Sequence, residues 1–224
     1  MPPTQVVVFD VNETLTDMSP LRGRFEAVGA PPDMFDAWFA GTLRDGFALT
    51  AADAYGDFAA IARSVLTGLL TEVGTVGEPA EAAQGVIAGL PRLEVHADVP
   101  DGLRRLRDGG LRLVTLTNGS VEMSEGSLDR AGVLDLFEQR LSVSTPQRWK
   151  PAAEAYRWAA QAVGVDVGGM VLVAAHPWDV DGAARAGLVG AWLNRQERDY
   201  PPYFTEPHVR AGSLPALADA LLAL

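Results

Sequence analysis

The strongest constraint on the fold is a recurring pairing: a short aliphatic run, then a cluster of polar residues. QVVVF (5–9) runs into DVNET, LRLVTL (111–116) into TNGS, and MVLVA (170–174) into AHPWD. Runs this short and this apolar suit strands buried on both faces, as in a parallel sheet. Two further strands are expected at 141–143 and 189–193, and helical spacing fills 101–108, 121–131, 151–163, 181–186 and 214–224. The glycine pair at 109–110 stops the first of these helices, and Pro151 suits the first turn of the third. The alternation predicts an α/β fold, a doubly wound parallel sheet built from β–α–β units. In such sheets ligands bind outside the carboxyl ends of the strands, which is where each polar cluster falls.

The alternation is interrupted once. Segments 20–30, 32–45, 50–73 and 78–90 carry helical spacing, punctuated by GAPP and GEP, with few strand signals among them. With 224 residues, 48% of them hydrophobic, the chain is long enough for one domain carrying a large insertion. Residues 1–15 and 96–224 are therefore expected to form the α/β core, and 16–95 a helical insert.

Composition removes several chemistries. The chain has no cysteine, which excludes disulfides, thiolate metal sites and a thiol nucleophile. A formal net charge of −11 repels phosphate backbones, so nucleic acid is not an expected partner. No apolar run spans a bilayer, and no basic segment precedes an apolar stretch near the N-terminus. The expected location is cytoplasmic, with no membrane partner. Of the 18 Lys and Arg residues, only Lys150 is a lysine.

Four clusters carry candidate chemistry. Asp10 ends a buried strand, where partial desolvation and the N–H groups of the next turn suit a carboxylate nucleophile; an Asp there serves equally as a turn or helix cap. Thr117-Asn118-Gly119-Ser120 offers an anion two hydroxyls, an amide and a helix N-terminus, or is an ordinary strand-to-helix turn with a capping hydroxyl. Lys150 stands just before a helix, where its ammonium can neutralise a carboxylate pair or lie in solvent as a surface amine. Tyr156, six residues on, has core packing as its plain alternative. His176, Trp178 and Asp179, with Asp181, bring an imidazole, an aromatic wall and carboxylates. His96 and His208 read as structural.

Singly these clusters are weak signals. In this order, on a β–α–β background, the chain resembles the haloacid dehalogenase superfamily, and within it the L-2-haloacid (type II) dehalogenases. The resemblance spans nearly the whole chain and makes the insert at 16–95 the counterpart of the family's cap domain. It implies that Asp10 is the nucleophile, supported by Thr14, and that Lys150 keeps Asp10 ionised, assisted by Tyr156. It implies that Thr117 and Asn118 bind the substrate carboxylate and help cradle the halide. Asp179 would position or activate water, and Trp178 would be an aromatic halide contact. No cofactor and no metal ion are implied. The implied small-molecule substrate is a short 2-haloacid, hydrolysed to a 2-hydroxy acid through an aspartyl ester, and the implied assembly is a homodimer.

Departures from the family pattern sharpen this expectation. Superfamily phosphatases carry an acid two residues after the nucleophile; here that residue is Asn12, which has no proton to give. Their Mg²⁺-binding carboxylate early in the fourth cluster is matched by Ala175. Halide leaves as a stable anion and needs neither metal nor acid, so dehalogenation is favoured over phosphoryl transfer. Against this, Phe39 stands where the family has its cap arginine, with Arg22, Arg24 or Arg44 as substitutes. His176 stands where the family places asparagine, and a neutral imidazole there would serve as general base for ester breakdown. Trp38, Phe39 and Phe58 either exclude water from the site or pack the insert's own core. The competing functions are a weak Mg²⁺-dependent phosphatase and a non-catalytic relative acting as a binding protein.

Overall fold

A computed structural model describes residues 4–224, so the first three residues of the expected core segment lie outside the described residues. The strands are β1 (Val6–Phe9), β2 (Arg112–Thr117), β3 (Phe137–Ser142), β4 (Met170–Ala174), β5 (Val189–Leu193) and β6 (Val209–Ala211). They form one sheet in the order β3-β2-β1-β4-β5-β6, and every neighbouring pair is parallel. β1 lies at the centre because its residues can be buried on both faces. Val6 and Val8 belong to one apolar core, Val7 and Phe9 to the other. Helices α5 (Val99–Asp108) and α9 (Leu214–Leu222) cover the Val7 and Phe9 face; α7 (Ala153–Val163) and α8 (Pro177–Ala186) cover the opposite one.

The chain steps outward from β1 to β3, then returns to the other side of β1 to lay down β4. Phe9 pairs with Val173, and the Asp10 N–H donates to the Val173 carbonyl at 3.0 Å. The reversal of winding direction opens a crevice at the carboxyl ends of β1, β2 and β4, and α6 (Val121–Arg130) starts beside it.

Between β1 and α5 lie α1 (Leu21–Ala27), α2 (Met34–Ala51), α3 (Phe58–Val73) and α4 (Pro79–Ile87). Trp38 Nε1 donates to the Ala62 carbonyl at 2.8 Å, tying α2 to α3, and Phe25 and Phe35 pack against its ring. Trp38 and Phe58 thus serve the core of these helices. Their apolar residues are continuous with the Val6 and Val8 core.

Several boundaries differ from the sequence reading. The expected helix 50–73 is split, because α2 runs on to Ala51 and α3 begins at Phe58, where the Asp57 carboxylate accepts the Ala60 N–H at 3.0 Å. The expected strand 141–143 is the end of a six-residue strand, β3; FEQRL hides the pattern because an edge strand tolerates polar residues. β6, three residues long, carries no sequence signal. Helix α8 starts at Pro177, not at residue 181: proline occupies the first turn, where its missing N–H costs nothing. Trp178 and Asp179 therefore sit in a helical first turn and not in a loop.

Candidate active site

The loop after β1 is built to hold a buried carboxylate. Only 6% of the Asp10 side chain is exposed. Thr14 Oγ1 donates to Asp10 Oδ2 at 2.6 Å, and Lys150 Nζ donates to Oδ1 at 2.9 Å. Thr14 reaches back because the chain turns tightly: the N–H groups of Leu15 and Thr16 both bond the Val11 carbonyl. The turn holds Glu13 at a φ of 61°, the left-handed region that a residue with a side chain adopts reluctantly. Side chains from three other loops hold the carbonyls. His176 Nε2 lies 3.2 Å from Asn12 O, His96 Nε2 lies 3.1 Å from Glu13 O, and Arg195 donates twice to Thr14 O, at 3.0 and 3.2 Å.

Lys150 is fully buried, and its ammonium also donates to Asp179 Oδ2 at 2.6 Å. Tyr156 Oη donates to Asp179 Oδ1 at 2.5 Å. The surface-amine alternative for Lys150 therefore falls. The Asn118 side chain is engaged with Lys150, accepting its N–H at 2.9 Å and donating to its carbonyl at 3.1 Å. Thr117 Oγ1 accepts the Gly119 N–H at 2.9 Å, which leaves the hydroxyl proton free to donate.

Burial and charge divide the two carboxyls. Burial pushes Asp10 up, but Lys150, His176 and the Thr14 hydroxyl together hold it below the ordinary aspartate value. For Asp179, burial and repulsion from Asp10 outweigh Lys150, and it lies above that value. Burial pulls the Lys150 ammonium down, yet the two carboxylates more than offset this and raise it. Burial and Asp179 hold the Tyr156 phenol well above its usual range. Two carboxyls driven apart by their surroundings are suited to different roles.

The donor set does not fit a divalent cation. Among the described residues no three His, Cys, Asp or Glu side chains converge as a metal site. Asp10 and Asp179 already share an ammonium, Asn12 is uncharged, and Ala175 contributes no carboxylate. A hard cation seeking six or so oxygens is poorly served there.

An aromatic row joins α2 to the start of α8. The His176 ring stacks on Trp178 with centroids 5.3 Å apart and lies 5.8 Å from Phe39; Trp178 in turn meets Phe47 at 5.0 Å. Phe39 is the one expected water-excluding aromatic that reaches the site. A cleft of about 740 Å³ opens here, its wall including Glu13, Phe39, Ala175, His176, Arg22 and Arg195. A second cavity of about 10 Å³, room for about one water, lies against Asn12, Thr117 and Ser120. Asp10 lines neither; His176, in the wall of the larger cleft, lies 4.0 Å from Asp10 Oδ2.

Of the substitutes considered for a cap arginine, only Arg22 borders the cleft, and it is paired with Asp36 at 2.6 Å. Arg24 bonds the Gly85 carbonyl, and Arg44 is an exposed partner of Asp45. Asp181 bonds Arg185 and the Thr205 N–H, and His208 accepts the Gly190 N–H. Sequence reasoning missed Arg195 and the bracing role of His96. Arg195 follows β5, so the rule that sites gather after strands could have found it; His96 has no such signal.

A family model described as haloacid dehalogenase-like hydrolase matches residues 4–187. The chain is 34% identical over 128 residues to an (S)-2-haloacid dehalogenase of Pseudomonas sp. (strain YL), covering 57% of this chain and 55% of that protein. The match thus spans about half the length of that relative. It is 24% identical to (S)-2-haloacid dehalogenase 1 of Pseudomonas sp. (strain CBS-3), over 100% of this chain and 99% of that one. The fold is similar to a solved L-2-haloacid dehalogenase of Xanthobacter autotrophicus with chloropropionic acid covalently bound, at a TM-score of 0.86 and 21% identity, covering 97% of this chain and 98% of that one.

Proposed function

The chain belongs to the haloacid dehalogenase-like hydrolases, and from that membership we propose that it hydrolyses the carbon–halogen bond of short 2-haloacids through an ester on Asp10. The observation that carries this reading is the fully buried Lys150 ammonium shared by Asp10 and Asp179, with Asn12 where a general acid would stand. That arrangement supplies an ionised nucleophile and no acid, which suits a leaving group that departs as a stable anion. The names of the relatives, (S)-2-haloacid dehalogenases, support the substrate class.

An Asp10 carboxylate oxygen attacks C2 of the haloacid, the carbon–halogen bond breaks with inversion, and halide leaves with the bonding pair. Thr14 and Lys150 hold the nucleophile, and the Thr117 hydroxyl donates to the substrate carboxylate. Asn118 acts through Lys150, whose backbone it holds. Trp178 and Phe39 form the aromatic wall against which the halide departs. Water then attacks Cγ of the aspartyl ester and gives its proton to Asp179, whose carboxyl is made more basic by burial. The Cγ–O bond to the substrate breaks, the departing alkoxide takes that proton and a 2-hydroxy acid leaves, while Asp10, left as a carboxylic acid, gives its proton to solvent to restore the carboxylate. In this reading residues 16–95 act as a cap over a core of 1–15 and 96–224.

The test offers chloroacetate, 2-chloropropionate and p-nitrophenyl phosphate, each with EDTA and with Mg²⁺. Halide release unaffected by EDTA is expected, and Asp10→Asn abolishes it. Phosphate release requiring Mg²⁺, without halide release, would replace this reading with a phosphatase.

A further inference from the structure

His176 and Glu13 meet at the wall of the cleft beside Asp10. Three oxygens surround His176 Nε2: the Asn12 carbonyl at 3.2 Å, Glu13 Oε2 at 3.5 Å and Asp10 Oδ2 at 4.0 Å. None of the three has a proton to give when the carboxyls are ionised, so the nitrogen that faces them carries one. Trp178 stacks on the ring and Phe39 lies beside it, which holds its plane; a flip within that plane would set a carbon, Cε1, against the same three oxygens in place of Nε2. Glu13 arrives by way of the left-handed turn, a conformation held against the preference of a residue with a side chain, and its carboxylate lines the same cleft.

Resting on the dehalogenase reading, we propose that Glu13 is a positioning residue that fixes His176 as an Nε2–H donor aimed at Asp10 Oδ2, and that His176 assists ester breakdown as this donor and not as a base. This replaces the general-base expectation for His176. The bond changes favour a donor whichever oxygen attacked C2. If Oδ2 remains the ester carbonyl oxygen, water attack on Cγ makes it an oxyanion. If Oδ2 carries the alkyl group, cleavage of its bond to Cγ makes it the departing alkoxide. Negative charge develops at Oδ2 in both cases; the Thr14 O–H already donates to it at 2.6 Å, and the Nε2–H, 4.0 Å away and nearest the Asn12 carbonyl, is the donor within reach as that charge grows. The water proton goes to Asp179 throughout. Halide displacement removes charge from Asp10 and gains nothing from this donor.

The experiment separates the two steps by rapid quench, reading the halide burst and, by intact-protein mass, the aspartyl ester. His176→Phe keeps the aromatic stack without a donor. It is expected to give one equivalent of halide per protein and then stall, with ester breakdown slowed about 100-fold. His176→Gln and His176→Asn keep an N–H donor but cannot act as a base, and at least one is expected to turn over within about threefold of the parent. Glu13→Gly relaxes the turn and removes the carboxylate; ester breakdown is expected to slow about tenfold with the burst intact, and Glu13→Gln to restore most of it. Independently of activity, ¹⁵N NMR of the neutral His176 ring is expected to show Nε2 protonated and Nδ1 bare.

Stalling of both amide variants alongside His176→Phe would overturn the donor role. Unchanged ester breakdown in Glu13→Gly would overturn the positioning role. A proton on Nδ1 in the neutral ring would overturn both. A parent protein that releases no halide defeats the dehalogenase reading instead, and the NMR result still decides the orientation of His176.

Discussion

A single ammonium serves two carboxylates at this site, and its removal would be felt first as instability. Lys150→Met leaves Asp10 and Asp179 buried without their counter-ion, and breaking such a pair costs about 3–5 kcal/mol. The loss should be full at neutral pH and shrink as the carboxyls protonate in acid, which urea titrations at pH 7 and pH 4 would show. Constant destabilisation at both would sink this account. In the proposed two-step mechanism the opposed carboxyls also split the pH dependence of the steps. Asp10 lies below 3.8, so the halide burst should persist to lower pH than an ordinary aspartate allows. Asp179 lies above 3.8, so ester breakdown, which needs it ionised, should fail first as pH drops. Rapid-quench profiles across the acid range check this; coincident acid limbs would refute it. Asp10 was legible in the sequence because it follows a strand, where the topology gathers ligands, and Lys150 because it is the chain's single lysine and stands just before a helix. The work of Asn118 was not, because its partner is backbone 32 residues away. Nor does a sequence show which imidazole nitrogen of His176 faces the carboxylates.

Helix α2 shows how a contact made by a distant residue overrides local preference. It continues through Gly41 and Gly46 to Ala51, although glycine in a helix interior costs up to about 1 kcal/mol relative to alanine. Gly46 is tolerated because Trp149, next to Lys150, fills the space a Cβ would take. Gly46→Ala should therefore lower the melting temperature, since overpacking costs about 1–3 kcal/mol and exceeds the gain in propensity. Gly68→Ala, in the exposed interior of α3 with nothing within 4 Å, should raise it. Paired thermal melts decide the matter, and two shifts of the same sign would contradict it. The elements that sequence patterning captured best, β1, β2 and β4, are those whose residues are buried on both faces. It caught only the end of β3 and missed β6, which lie at the sheet edges, where polar residues mask the signal. The early start of α8 was present in Pro177 and is read correctly once proline is placed in the first turn.

Across the whole molecule, the four inserted helices and one face of the sheet share a continuous apolar core. A shared core predicts cooperative unfolding: far-UV circular dichroism and tryptophan fluorescence should follow one transition, and two separated transitions would show independently stable parts. The α/β class was legible because alternating runs dictate it; how the insert meets the sheet was not, because that depends on Trp149, whose spacing resembles no motif. Its indole is fully buried, donates to the Gly56 carbonyl at 3.0 Å and stacks on Phe58 at 5.8 Å, while its own N–H reaches Thr50. The insert is thus riveted to the rest of the protein one residue away from the ammonium. Were residues 16–95 to move as the proposed cap, that joint would be their pivot, and the aromatic contacts of Phe39 with His176 and Phe47 with Trp178 would have to part. Such a movement would load the peptide preceding Lys150, and would tie substrate entry to the ammonium beside Asp10.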